Sequence, residues 1–141
     1  MSDTTSARPV IQKVLVYSDD RDVRDSVMLA LGPHPDRSGG EVHYVNVATA
    51  AVVLDHVRAG DVDLLVLDGE SAPVGGTGLA KQLRDEHPTC PPVVLLTGRP
   101  QDAWLATWSG VDAVVSHPID PVLLARTVAG LLADPSPEVP R

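Results

Sequence analysis

Phenylalanine is absent from this sequence of 141 residues, and two tryptophans and two tyrosines are its whole aromatic content. A core must therefore be filled by Val, Leu and Ala, because 43% of the chain is hydrophobic but only 3% aromatic. Cysteine is almost absent as well. The single Cys90 excludes an internal disulfide, so the expected setting is a reduced, cytoplasmic one. No apolar run approaches the roughly 20 residues that a membrane-spanning helix needs, and no membrane segment is expected. The polar stretch Met1 to Pro9 lacks the apolar centre of a secretory signal. Basic residues are scarce, with 11 Lys and Arg against 19 Asp and Glu and a net charge of −8. Phosphate backbones reward clustered Lys and Arg, so direct nucleic-acid binding is not expected. Excess acid also keeps a small protein soluble, and it names no partner by itself.

What is present is an alternation of two kinds of segment, in a length that suits one domain. Residues 1–9 read as a disordered leader, 10–132 as the domain, and 133–141 as a disordered Pro-rich tail that cannot continue a helix. Four continuous apolar runs, Val14–Tyr17, Leu64–Leu67, Val93–Leu96 and Ala113–Val115, read as strands buried on both faces, as parallel central strands are. A fifth, Val42–Val47, alternates more and reads as an edge strand. Helical patterns fall between them at Arg21–Leu31, Thr49–Arg58, Leu79–His87, Gln101–Ser109 and Ile119–Leu132. Asp120 before Pro121 is a helix start, and Gly32 and Gly60 suit helix ends. Five strand–helix repeats imply right-handed βαβ units. The expected fold is α/β, a doubly wound five-stranded parallel sheet with helices on both faces.

In such sheets the functional site lies beyond the carboxyl ends of the strands. The first strand ends in Ser18-Asp19-Asp20, the third in Asp68, the fourth in Thr97-Gly98 and the fifth in Ser116-His117-Pro118. Three carboxylates, a hydroxyl and an imidazole thus converge on one rim. Clustered carboxylates repel, and a hard divalent ion such as Mg²⁺ relieves that repulsion by taking oxygen ligands. A strand-end aspartate among them can itself accept a phosphoryl group as an acyl phosphate. The stretch Gly75-Gly76-Thr77-Gly78 lacks both the Walker spacing and its lysine, and reads as a flexible loop rather than a phosphate cradle.

These residues resemble the receiver domains of bacterial two-component response regulators, over roughly Val10 to Leu132. The likeness rests on Asp19-Asp20, on Asp68 closing Asp63-Leu64-Leu65-Val66-Leu67-Asp68, on Thr97 closing Val93-Val94-Leu95-Leu96-Thr97, and on His117-Pro118 where the family has Lys-Pro. It implies the strand order 2-1-3-4-5. It also implies that Asp19, Asp20, Asp68 and the backbone carbonyl of Glu70 hold Mg²⁺, and that Asp68 accepts phosphate from a sensor histidine kinase. Thr97 and His117 would then contact the added group, and His117-Pro118 would be a cis peptide.

The departures from the family pattern are specific. His117 replaces a permanent cation with a group whose ordinary pKa is about 6.5. Val114 stands where a switching Tyr or Phe is common, and the loop Gly69–Gly78 is longer than usual and lacks Met-Pro. The expected function is therefore that of an atypical single-domain receiver, not an enzyme, acting through protein–protein contacts as a monomer or weak homodimer. The alternatives are a phosphorylation-independent adaptor, or a small Mg²⁺-dependent phosphatase-like or flavodoxin-like enzyme. Trp104 and Trp108, four residues apart, would share one face of the fourth helix. One would be core and the other an effector anchor on the face of the fourth helix, fifth strand and fifth helix. His34, His43, His56 and His87 show no paired metal-ligand spacing and are expected on the surface.

Overall fold

Strands and helices alternate along the chain as β1 (Gln12–Tyr17), α1 (Arg21–Leu31), β2 (Val42–Val47), α2 (Ala50–Ala59), β3 (Leu64–Asp68) and α3 (Gly76–Glu86), followed by β4 (Val93–Thr97), a 3₁₀ turn (Pro100–Trp104), α4 (Leu105–Ser109), β5 (Ala113–Ser116) and α5 (Pro121–Ala133). This computed structural model describes residues 11–35 and 40–133. The expected leader, the expected tail apart from Ala133, and residues 36–39 lie outside the described residues.

All five strands are parallel and form one sheet in the order β2-β1-β3-β4-β5. The continuous apolar runs explain why. Side chains alternate across a strand, so a run with no polar break is stable only where helices cover both faces. Leu15, Tyr17, Leu65, Leu67, Val93 and Leu95 enter one core, closed by Val53 and Val57 of α2 and Leu79, Ala80 and Leu83 of α3. Val14, Val16, Leu64, Val66, Val94 and Leu96 enter the other, closed by Val27 and Leu31 of α1 and Leu124, Val128 and Leu132 of α5. With no phenylalanine available, Tyr17 is the largest fully buried side chain, 1% exposed. Among the described residues no helix is long and apolar enough to cross a membrane.

Helix ends follow local chemistry. The Asp120 carboxylate accepts the Val122 and Leu123 amides at 3.0 and 3.2 Å and starts α5. Gly60 closes α2 in the left-handed conformation that costs glycine least.

Three expectations need correction. First, β5 is the second edge strand, and only its Val115 is buried, so Ala113–Val115 packs on both faces but, with Ala113 and Val114 half-buried, is fully buried on neither. Second, the fourth helical segment is not one helix. Asp102 donates its amide to the Arg99 carbonyl at 3.0 Å, three residues back, and its carboxylate pairs with the Arg99 guanidinium at 3.2 Å. Those contacts wind the segment as a 3₁₀ turn before the short α4. Third, α3 begins at Gly76, inside the stretch read as a flexible loop. A β-carbon at Gly76 would lie 2.8 Å from the Asp68 carbonyl carbon and oxygen, so only glycine lets this helix start directly against the end of β3.

Candidate functional site

The carboxyl ends of β1, β3, β4 and β5 meet at one rim, and Asp68 lies at its centre, 2% exposed. Burial of a carboxylate is costly unless its oxygens find donors. Both do. Oδ2 accepts the Ser18 hydroxyl at 2.7 Å, and Oδ1 accepts the Glu70 backbone amide at 2.9 Å. The Ser18 oxygen in turn accepts the Asp20 amide at 3.0 Å. Next to it, the Asp19 amide donates to Ser71 Oγ at 2.9 Å, and the Arg24 guanidinium donates to the Ser18 carbonyl at 2.6 Å. Asn46 Oδ1 accepts from Arg24 Nε at 3.0 Å and fixes the guanidinium.

The loop after β3 is bound into this set. Tyr17 donates its hydroxyl to the Val74 carbonyl at 2.5 Å, and Ser71 is 6% exposed. Burial raises the Tyr17 pKa above 10.0, and the negative Asp19 and Asp68 raise it further. The phenol therefore stays a neutral donor, holding the loop to the end of β1.

The other side of the rim is looser. Thr97 is 2% exposed and donates Oγ1 to the Arg99 carbonyl at 3.3 Å. His117 takes its place because its amide donates to the Thr97 carbonyl at 2.8 Å. Its Nε2 lies 4.0 Å from Asp68 Oδ1, too far for a hydrogen bond but within ion-pair range. The His117–Pro118 peptide is cis, as the resemblance implied, and so is Ala72–Pro73. Glu70 is exposed, with its carboxylate across Gly98, where a β-carbon would meet it at 2.9 Å. A groove of about 280 Å³ opens beside His117, lined by Asp22, Val23, Ser26, Pro118 and Ile119.

The structure thus brings Asp68, Thr97 and His117 to one rim, with Asp19 in the turn beside them. Asp20 has a different task. Its Oδ1 accepts the Asp22 amide at 2.8 Å and caps α1. The metal set Asp19, Asp20, Asp68 and Glu70 carbonyl is therefore not assembled. Among the described residues, no three His, Cys, Asp or Glu side chains gather to hold a metal ion. With no such cluster and Asp20 used as a helix cap, the residues present do not fit the Mg²⁺ site that the resemblance implies.

Ser18 is the residue that reading the sequence passed over. A signal for it was available. Val14, Val16 and Ser18 share one parity on β1, as do Leu64, Val66 and Asp68 on β3. Extending the Tyr17–Leu67 pairing by one residue sets Ser18 beside Asp68.

Neither tryptophan is core. Trp104 is 65% exposed in the 3₁₀ turn and Trp108 is 51% exposed on α4, where Lys81 lies 5.5 Å from the ring centre. The change from 3₁₀ to α geometry between them removes the single helix face that their spacing implied. Val114 packs, half-buried, against the core under α3. Of the remaining histidines, His56 pairs with Asp61 at 3.0 Å and His43 with Glu41 at 3.3 Å.

Comparison with known proteins bears on this geometry. Uncharacterized response regulatory proteins from two strains of Mycobacterium tuberculosis, CDC 1551 / Oshkosh and ATCC 25618 / H37Rv, are each 51% identical to the chain over 126 residues. Each alignment covers 88% of this chain and 93% of the relative. Among solved structures, a CheY-like response regulator receiver domain protein from Methanospirillum hungatei superposes with a TM-score of 0.71 at 22% identity. It covers 92% of this chain and 100% of that one. A chemotaxis response regulator of Vibrio cholerae gives 0.68 at 21% identity, covering 87% of this chain and 100% of its own. No family model matches the chain.

Proposed function

The chain belongs to the response regulator receiver family, and from that premise we propose that it is a receiver whose Asp68 accepts a phosphoryl group. The observation that carries this reading is the position of Asp68: 2% exposed, oriented by two donors, and facing His117 across 4.0 Å. A carboxylate held in this way loses little freedom when it attacks. A lone pair on an Asp68 oxygen attacks phosphorus, forming an acyl-phosphate O–P bond. The bond from phosphorus to the donor breaks, and its electron pair leaves with the donor. For a sensor histidine kinase that leaving atom is an imidazole nitrogen, which then takes a proton from water. His117 N–H and the Thr97 hydroxyl donate to the new phosphoryl oxygens, and Thr97 gives up its 3.3 Å bond to the Arg99 carbonyl to do so.

Output in this reading passes through protein–protein contact and not through chemistry, so the chain is not itself an enzyme. The exposed Trp104 and Trp108, the latter beside Lys81 of α3, offer the aromatic anchors that effector interfaces favour. A phosphoryl group changes that face only through contacts that differ between the two states. Val114 is too small to swing inward as an aromatic would, so coupling is weaker than an aromatic switch would give.

A second reading is a phosphorylation-independent adaptor. The metal set that is not assembled favours it. One experiment decides between the two. The protein and Asp68→Asn are incubated with acetyl phosphate or phosphoramidate, with and without Mg²⁺, and intact mass is measured. A single phosphoryl adduct that is missing in Asp68→Asn is the expected result. Absence of any adduct under all these conditions leaves the adaptor.

A further inference from the structure

We infer that Ser18 makes the Asp68 pocket a poor divalent-cation site, because its hydroxyl occupies the strand-end position where a further carboxylate would complete one. This rests on the reading of Asp68 as the reactive residue, and it identifies what sets the ionic requirement of that residue.

Three observations carry it. Position comes first. The parallel register of β1 and β3 puts Ser18 beside Asp68, and Ser18 is fully buried there. A group at that position reaches Asp68. Saturation comes second. The Ser18 hydroxyl spends its one proton on Asp68 Oδ2 at 2.7 Å and accepts the Asp20 amide at 3.0 Å. A hydroxyl used in this way adds no negative charge and turns its proton toward the carboxylate that a cation would need. The third observation is the loss of the alternative ligand. Asp20, the acidic residue that would supply the missing charge, turns its Oδ1 to the Asp22 amide at 2.8 Å. That hydrogen bond caps an eleven-residue helix, and breaking it to reach a metal would weaken the start of that helix.

Asp68 is compensated by protein donors, where three converging carboxylates would demand a metal. The Arg24 guanidinium binds the Ser18 carbonyl beside it at 2.6 Å. Affinity of oxygen sites for hard cations rises with the number of charged ligands. Replacing one hydroxyl by a carboxylate is therefore the smallest change that should create a real site.

The test is calorimetric titration of the full chain with Mg²⁺ alone and, separately, Mn²⁺ alone, in the wild type, Ser18→Asp, Ser18→Ala and Asp20→Asn. Ser18→Asp is expected to bind both ions about tenfold or more tightly than the wild type. Ser18→Ala, which frees Asp68 Oδ2 but adds no charge, is expected to gain far less than Ser18→Asp, and Asp20→Asn is expected to leave the weak wild-type affinity unchanged. A folded Ser18→Asp, with a native circular dichroism spectrum and cooperative melt, that binds no more tightly than the wild type overturns the inference. If Ser18→Asp does not fold, Asp20→Asn decides. Loss of binding there means that Asp20 is a ligand and the inference fails, while unchanged binding upholds it. Failure here is distinct from failure of the acceptor reading. A phosphoryl adduct at Asp68 with no gain in Ser18→Asp sinks only the role of Ser18. A gain in metal affinity without any adduct sinks only the acceptor reading.

Discussion

The two halves of the pocket rim are built differently. On the β1–β3 side, Ser18, Asp68, Glu70, Ser71 and Tyr17 form a set of hydrogen bonds of 2.5–3.0 Å that ties two strand ends and a loop together. On the β4–β5 side, the Thr97 hydroxyl has one 3.3 Å bond to a carbonyl, and His117 stands off Asp68 by 4.0 Å. The outermost strand beneath the looser side differs in the same sense. Every residue of β3 and β4 is buried, whereas β5 is an edge strand with only Val115 buried. A site that must hold a nucleophile still and let its surroundings respond to an added charge needs both kinds of construction. The tight half supplies orientation. The loose half supplies the side chains free to move, because local stability is lowest where buried contacts are fewest.

The comparison breaks most readily at the strands. Leu67, fully buried next to Asp68, should cost about 2–5 kcal/mol when changed to Ala. Val114→Ala, at a half-buried position of β5, should cost about 1 kcal/mol. Urea unfolding of both variants measures the difference, and equal losses would mean that the two halves rest on equally firm ground.

A smaller effect is expected at the hydroxyls. Ser18→Ala removes a proton from a buried carboxylate and an acceptor from the Asp20 amide, at a cost of about 1–3 kcal/mol. Thr97→Val removes one long bond to the carbonyl of an exposed residue, which water can replace, at a cost of at most about 1 kcal/mol. The melting temperatures of the two variants should fall in that order.

This asymmetry was only partly legible in the sequence. Uninterrupted runs such as Val14–Tyr17 and Leu64–Leu67 announce central parallel strands, because no other arrangement buries both faces, and the architecture follows from them. Asp68, Thr97 and His117 were visible as strand ends. The partition of Asp19 and Asp20 was not. A carboxylate in a strand-to-helix turn suits both a metal and a helix cap, and only the pairing register shows that Ser18 faces Asp68 while Asp20 caps α1. The glycines before α3 were opaque for a related reason. Glycine marks a mobile loop or a close backbone approach equally well, and at Gly76 it is the approach to Asp68 that requires it. The spacing of Trp104 and Trp108 misled because a spacing of four means one face only in continuous α geometry.

The smallest expected effect is at alkaline pH. Tyr17 and Tyr44 both have pKa values raised above 10.0 by burial, Tyr44 to about 12. For Tyr17, the negative Asp19 and Asp68 raise it further. A tyrosine whose folded pKa is raised contributes stability that is complete below its unfolded value and is lost as pH rises through the folded one. Stability should therefore decline from about pH 10 upward, approaching 12 for Tyr44. Tyr44→Phe should flatten most of that decline at the β2 edge, and Tyr17→Phe should remove the part that reports on the tight half. Thermal melts across the alkaline range check this, and an unchanged slope in both variants would place the decline elsewhere.

The most direct measurement is a pair of amide ¹H–¹⁵N correlation spectra, before and after phosphoramidate treatment, with adduct formation at Asp68 followed by mass. The tight half is predicted to hold, with resonances of Tyr17, Ser71 and Val74 barely moving. The loose half is predicted to respond, with the largest shifts at Thr97 to Arg99 and at Ser116 and His117. Large shifts confined to the Tyr17 and Ser71–Val74 segment, with Thr97 and His117 unmoved by a phosphoryl group on Asp68, would contradict the account.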